Sequence, residues 1–214
     1  MEYLSFVLSA HFRLAIHAAL LFAVGLFVAW PVVRYRLTGV AWLPRRIFDF
    51  VVWCIGPSPS LPRIAAVIFL FNATVMLLQM VSGFHSFLPR VLGIWTGMNV
   101  GIMSAFPGRA GEMVRDAAGR GEGWMPPRGL TLACSLLVIL LELPCYFYAL
   151  AMGMRLGHLV QGTEATYLET LWPRLIAYGM VVAPALLASA AAEAVSIRGA
   201  TVDLQPPEEG DQAE

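Results

Sequence analysis

The stretch Ser135–Gly153 reads SLLVILLELPCYFYALAMG and carries one charged side chain, Glu142. A helix rises about 1.5 Å per residue, so ~20 largely apolar residues cross ~30 Å of hydrocarbon. The apolar run around this stretch, 130–154, is long enough. A helix also satisfies its own backbone groups in lipid, which an isolated strand cannot. The composition agrees: 58% of the 214 residues are hydrophobic and 13% are charged, against about 45–50% and about 25% in ordinary globular chains. Mean hydropathy is +0.71. So few charges could not cover a soluble surface. The expected fold is all-α, a polytopic transmembrane helical bundle.

Four further runs qualify as spans, at 14–33, 64–82, 91–106 and 175–197. The first opens with MEYLSFVLSAHFR, without the basic start and small-residue cleavage site of a signal peptide, so it reads as a retained helix. Between the first two spans, 44–55 sets Arg45, Arg46 and Asp49 beside Phe48, Val52, Trp53 and Ile55. Adjacent arginines are expensive at a span centre, so this segment reads as an interfacial amphipathic helix, ended by Pro57, Pro59 and Pro62. Residues 1–198 form one transmembrane domain. The tail 199–214 has five acids and no basic residue and is expected to be disordered. No repeat of 20–50 residues is visible.

Fourteen arginines balance fourteen acids, and there is no lysine. A neutral chain without clustered positive charge is not built for nucleic acid. Ten of the arginines fall on the side shared by the loops after spans one and three and by the tail. The positive-inside rule then puts the N-terminus outside and the C-terminus in the cytoplasm of a cell-membrane protein. Cys54, Cys134 and Cys145 have no ligand-like spacing and read as small apolar residues. No metal or cofactor is expected.

Gly93, Gly97 and Gly101 recur every four residues and share one helix face, where a second backbone can approach closely. Gly153 and Gly157 repeat the spacing, and Ala185, Ala188, Ser189 and Ala192 extend it in the last span. Packing within the bundle is the expected use, with a homodimer seam as the alternative.

The polar exceptions carry the functional reading. Glu142 lies mid-span, and Pro144 two residues later cannot donate to the preceding turn, leaving the Leu140 carbonyl free. A carboxylate beside such a break should face the bundle interior. Asn72, Asn99 and His17 are the other buried polar candidates, the two Asn expected to hydrogen-bond between helices and His17 to be a satisfied interior or interface histidine, while Glu193 lies near the end of the last span, where interfacial water is within reach. Catalytic sets are missing from the sequence: no HExxH, no GxSxG, no Asp in any span, adjacent Glu only at Glu208–Glu209, and no Walker lysine. The chain is not expected to be an enzyme.

Asn72 in IFLFNATVMLL, Gly97 and Gly101 in WTGMNVG, Glu142-Leu143-Pro144 followed by Met154-Arg155-Leu156-Gly157, and Glu193 in SAAAEAVSI together resemble the stage II sporulation protein M family. The resemblance covers roughly 64–197. Two departures stand out. The family commonly carries a His four residues before the Glu, where this chain has Val138, and the Asn of its NG element corresponds to Thr96. The loop 107–128 is also longer than usual. The resemblance implies a non-enzymatic membrane protein that anchors a complex, in the sporulating members one that recruits cell-wall-degrading enzymes during engulfment. It points to an N-terminus inside, against the arginine count, which is retained here. The leading expectation is a membrane subunit or scaffold binding membrane or cytoplasmic proteins through the glycine faces, the 44–55 segment and the arginine loops. The alternative is a transporter or permease subunit, with a polar pathway near Glu142 and a cytoplasmic ATPase docked on 44–55.

Overall fold

The computed structural model describes residues 2–56, 59–105, 126–162 and 166–200. The tail 199–214 and the loop 107–128 lie almost wholly outside the described residues. Among those described, every element is helical: α1 (Glu2–Arg34), α2 (Thr38–Ile55), α3 (Leu61–Val81), a 3-10 turn (Ser82–Phe84), α4 (Leu88–Ala105), α5 (Arg128–Gly162), α6 (Tyr167–Ala177), a π-helical turn (Tyr178–Val182) and α7 (Ala183–Ala200).

Among the described residues, four helical runs are long and apolar enough to cross a membrane: His11–Arg34, Leu61–Phe84, Arg128–Gly162 and the continuous Tyr167–Gly199. The span expected at 91–106 is α4, and it is not one of the four. Pro89, Arg90, Asn99 and three glycines dilute the apolar content of its 18 residues. The other spans run longer than expected. α5 passes through Gly153 and Gly157 to Gly162 because these glycines mark close approaches and not a helix exit. The last run opens eight residues before 175, where Thr166 and Glu169 form a capping box. The Glu169 N–H donates to Thr166 Oγ1 (3.4 Å) and the Thr166 N–H to Glu169 Oε2 (3.0 Å). Two orphan donors are thereby satisfied.

The expected interfacial helix 44–55 begins six residues earlier, at Thr38. Pro44 does not open it but lies buried in its second turn. Gly56 ends it with φ +81°, a left-handed conformation natural to glycine.

The packing register fixes the helix directions. A β-carbon on Gly97 would strike the Phe22 carbonyl oxygen, and one on Gly101 would meet Ala29, so α1 and α4 run parallel. Gly83 and Gly153 meet in the same way, with Gly157 against Ser86, and α3 and α5 are also parallel. α7 lies antiparallel to α5, with Ser196 against Ser135 and Val182 against Cys145. The core sits at the middle, where Phe22 and Ala18 of α1, Met76 and Met80 of α3, and Tyr146, Ala149 and Leu150 of α5 converge.

The inward stripe of α1 is His11, Ala18, Phe22, Gly25, Ala29 and Val32, spaced at the helical repeat. His17 is one residue off that stripe and is exposed, so of the two places expected for it, interior or interface, the interior is ruled out. His11 is the buried histidine, 3% exposed.

Candidate functional site

Two polar seams cross the bundle. The first joins α3, α5 and α7. On α5, Ser135, Val138, Glu142 and Cys145 follow at intervals of three and four, so they share one face. On α7 and the turn before it, Val182, Ser189, Glu193 and Ser196 follow at intervals of seven, four and three. The two stripes are pinned at both ends. Ser135 Oγ and Ser196 Oγ lie 2.6 Å apart, and Cys145 Sγ donates to the Val182 carbonyl at 3.9 Å. One turn beyond the serine pin, Gly199 is pressed against Thr131. Val138 and Glu142 lie between the pins on α5, and Ser189 and Glu193 lie between them on α7. From α3, Asn72 Nδ2 donates to Glu142 Oε1 at 3.2 Å. Glu193 lies within electrostatic reach of Glu142. Pro144, exposed on the outer side of α5, marks the boundary between this seam and the core.

The second seam joins α3, α4 and α5 beyond Pro144. Gln79, 2% exposed, donates through Nε2 to Thr96 Oγ1 at 3.0 Å. Tyr146 Oη donates to the Gly93 carbonyl at 3.3 Å and sits beside both Thr96 and Gln79. Nearby, Tyr167 Oη donates to the Val81 carbonyl at 2.5 Å and Tyr178 Oη to the Ala73 carbonyl at 2.7 Å. These phenols tie separate helices together through backbone oxygens, which satisfies each hydroxyl in an apolar interior.

Of the residues singled out from sequence, Asn72, Glu142 and Glu193 come together, whereas Thr96 belongs to the second seam. Asn99 stands apart, its Oδ1 buried with no hydrogen-bond partner among the described residues. Gly93, Gly97 and Gly101 face α1 and α5, with a β-carbon on Gly93 placed 2.7 Å from Leu150 Cδ2; Gly153 and Gly157 face the end of α3 and the turn after it. These glycine faces are therefore occupied within the chain and leave no free surface of the kind expected for partner binding. The contact between backbones is too close to admit another helix.

Sequence reading passed over Gln79 and Tyr146. Gln79 was visible as the one amide interrupting MLLQM. Tyr146 was hidden by an aromatic run. Among the described residues no three His, Cys, Asp or Glu side chains gather as a metal set.

Long apolar helices stitched together by buried polar pairs define an integral membrane protein. The family model described as Stage II sporulation protein M matches residues 18–196, and the chain belongs to that family. Neither a curated protein nor a solved structure matches it.

Proposed function

We propose that the chain is a non-enzymatic, multi-pass subunit of the cytoplasmic membrane that assembles with membrane or cytoplasmic proteins. The observation that carries this reading is the outer face of α2. Trp42, Arg46, Phe50 and Trp53 fall at intervals of four, four and three, and all four are exposed. The Arg46 guanidinium lies over the Trp42 ring, 5.9 Å from its centroid, and Phe50 stacks on Trp53 at 5.9 Å. The inner face seats Ala41 against Ala29, Val32, Met98 and Ile102. α2 is therefore held on the bundle while presenting aromatic and cationic groups, the types enriched at protein interfaces and at membrane surfaces. Both the lipid headgroups and a partner protein would meet this face.

The helix directions support five crossings. α4 lies alongside the 22–29 part of α1, at the same depth, so its glycines are sheltered from lipid by its neighbour. In this reading the ends of α1, α4 and α7 and the start of α5 share one side with α2, and the arginine count makes that side cytoplasmic, with the N-terminus outside.

Affinity purification in mild detergent from the native host, at native abundance, tests the assembly. A specific partner should be recovered, and its yield should fall when Trp42, Phe50 and Trp53 are replaced together by Ala. Recovery of the chain alone would count against the reading.

A further inference from the structure

We propose that the acidic segment 203–214 of this chain docks back on the exposed face of α2, covering Trp42, Arg46, Phe50 and Trp53. The inference concerns the face used by the assembly reading, but it needs no partner protein and does not depend on one. Charge points to the pairing. From Arg34 to Arg63 the sequence carries five arginines, Arg34, Arg36, Arg45, Arg46 and Arg63, against one acid, Asp49. All five are exposed, while Asp49 is half-buried. After Arg198 the chain carries Asp203, Glu208, Glu209, Asp211 and Glu214 and no basic residue. Two segments of opposite charge excess therefore belong to one chain of zero net charge.

The fold brings the origin of the acidic segment to α2. Ile55, the last residue of α2, and Ile197, near the end of α7, pack against one cluster of Ile64, Ile68, Ala190 and Ala194. Arg63 stands at the same place. Its Nη2 donates to the Cys54 carbonyl at 3.2 Å, and a β-carbon on Gly56 would meet the same nitrogen. α7 ends at Ala200, so the segment leaves beside the C-terminal end of α2. Glu208 is nine residues beyond Gly199, a reach of up to about 30 Å. Arg46 is nine residues back from Ile55 along α2, a rise of about 14 Å. The reach exceeds the rise, with slack for the path around Trp53.

The order of groups also matches. Leu204, Pro206 and Pro207 come first, and proline-rich segments pack on exposed aromatic rings. Trp53 and Phe50, 75% and 58% exposed, are the first rings met from the Ile55 end. Glu208 and Glu209 follow and come level with Arg46. Stacking over Trp42 uses the face of that guanidinium and leaves its N–H edge for carboxylates. Exposed ion pairs of this kind are individually weak. Tethering compensates, because a short connection holds the effective concentration in the millimolar range. A lipid headgroup offers the charge alone, whereas this segment offers apolar and acidic groups in the sequence the face requires.

The test uses the full chain alone, in nanodiscs of phosphatidylcholine, with the photoreactive residue benzoylphenylalanine placed at Gln212. Illumination should join position 212 to peptides within 42–53 of the same chain, identified by mass spectrometry. Glu208→Lys combined with Glu209→Lys, both beyond the end of α7, should lower that yield about fivefold or more. Adding Arg45→Glu and Arg46→Glu to the same protein should restore it, which a merely unfolded bundle would not do. Raising salt from about 0.05 M to about 0.5 M should also lower the yield, since exposed charges are screened. An unchanged yield in the lysine variant would overturn the proposal. So would crosslinks that go to lipid, to a second copy of the chain or evenly over the bundle in place of 42–53. Failure to recover any partner from the native host would strike the assembly reading and leave these crosslinks as they are.

Discussion

The two halves of α5, on either side of Pro144, are built for different tasks. After Pro144, Cys145, Tyr146 and the run from Ala149 to Met154 are buried, and Leu150 and Leu156 are 0% exposed. Before it, Leu132 is 63% and Leu140 68% exposed, and the inward contacts are hydroxyls, an amide and carboxylates. One half is held by close packing of backbones, the other by polar pairs along a lipid-facing helix. Packing against several helices gives strength, because every removed or added atom is felt. Polar pairing in a membrane gives less, roughly 0.6 kcal/mol per bond on average.

That contrast can be broken most forcefully at Gly153. A β-carbon there would collide with the Gln79 carbonyl oxygen, so Gly153→Ala should cost about 3 kcal/mol or more through forced separation of α3 and α5. Gly129, on the same helix, has open space around it, and Gly129→Ala should be neutral or stabilise by up to about 1 kcal/mol. Thermal unfolding in detergent compares the two, and equal effects would erase the distinction between the halves. A smaller loss is expected from Gln79→Ala, about 1–3 kcal/mol, because it strips the Thr96 bond from a buried site. Asn72→Ala, in the first seam, should cost only about 0.6–1.7 kcal/mol. Smallest of all, Glu142→Gln keeps an acceptor for Asn72 and should change stability by less than about 0.5 kcal/mol. A large loss there would mean that the charge itself holds the bundle.

Part of this was legible in the chain. Span-length apolar runs, the amphipathic helix around Arg45 and Arg46, and the small-residue spacing at Gly97 and Gly153 are local patterns. Asn72, Glu142 and Glu193 stand out because polar groups are costly in lipid wherever they point. The position of His17 relative to His11 was not legible, because both lie in one apolar helix and only the direction of the α1 stripe separates them. Gln79 and Tyr146 matter through a partner on another helix, which no local pattern encodes.

Sequence alone determined that this is a helical membrane protein, since the cost of exposing backbone and charge to lipid depends on composition and run length. It also marked Glu142 as the exception. Which helices meet was left to the tertiary structure, because a glycine face or a serine is equally able to serve any neighbour of matching register. That structure turned the glycine faces inward, paired Asn72 with Glu142, and joined Ser135 to Ser196 across α5 and α7.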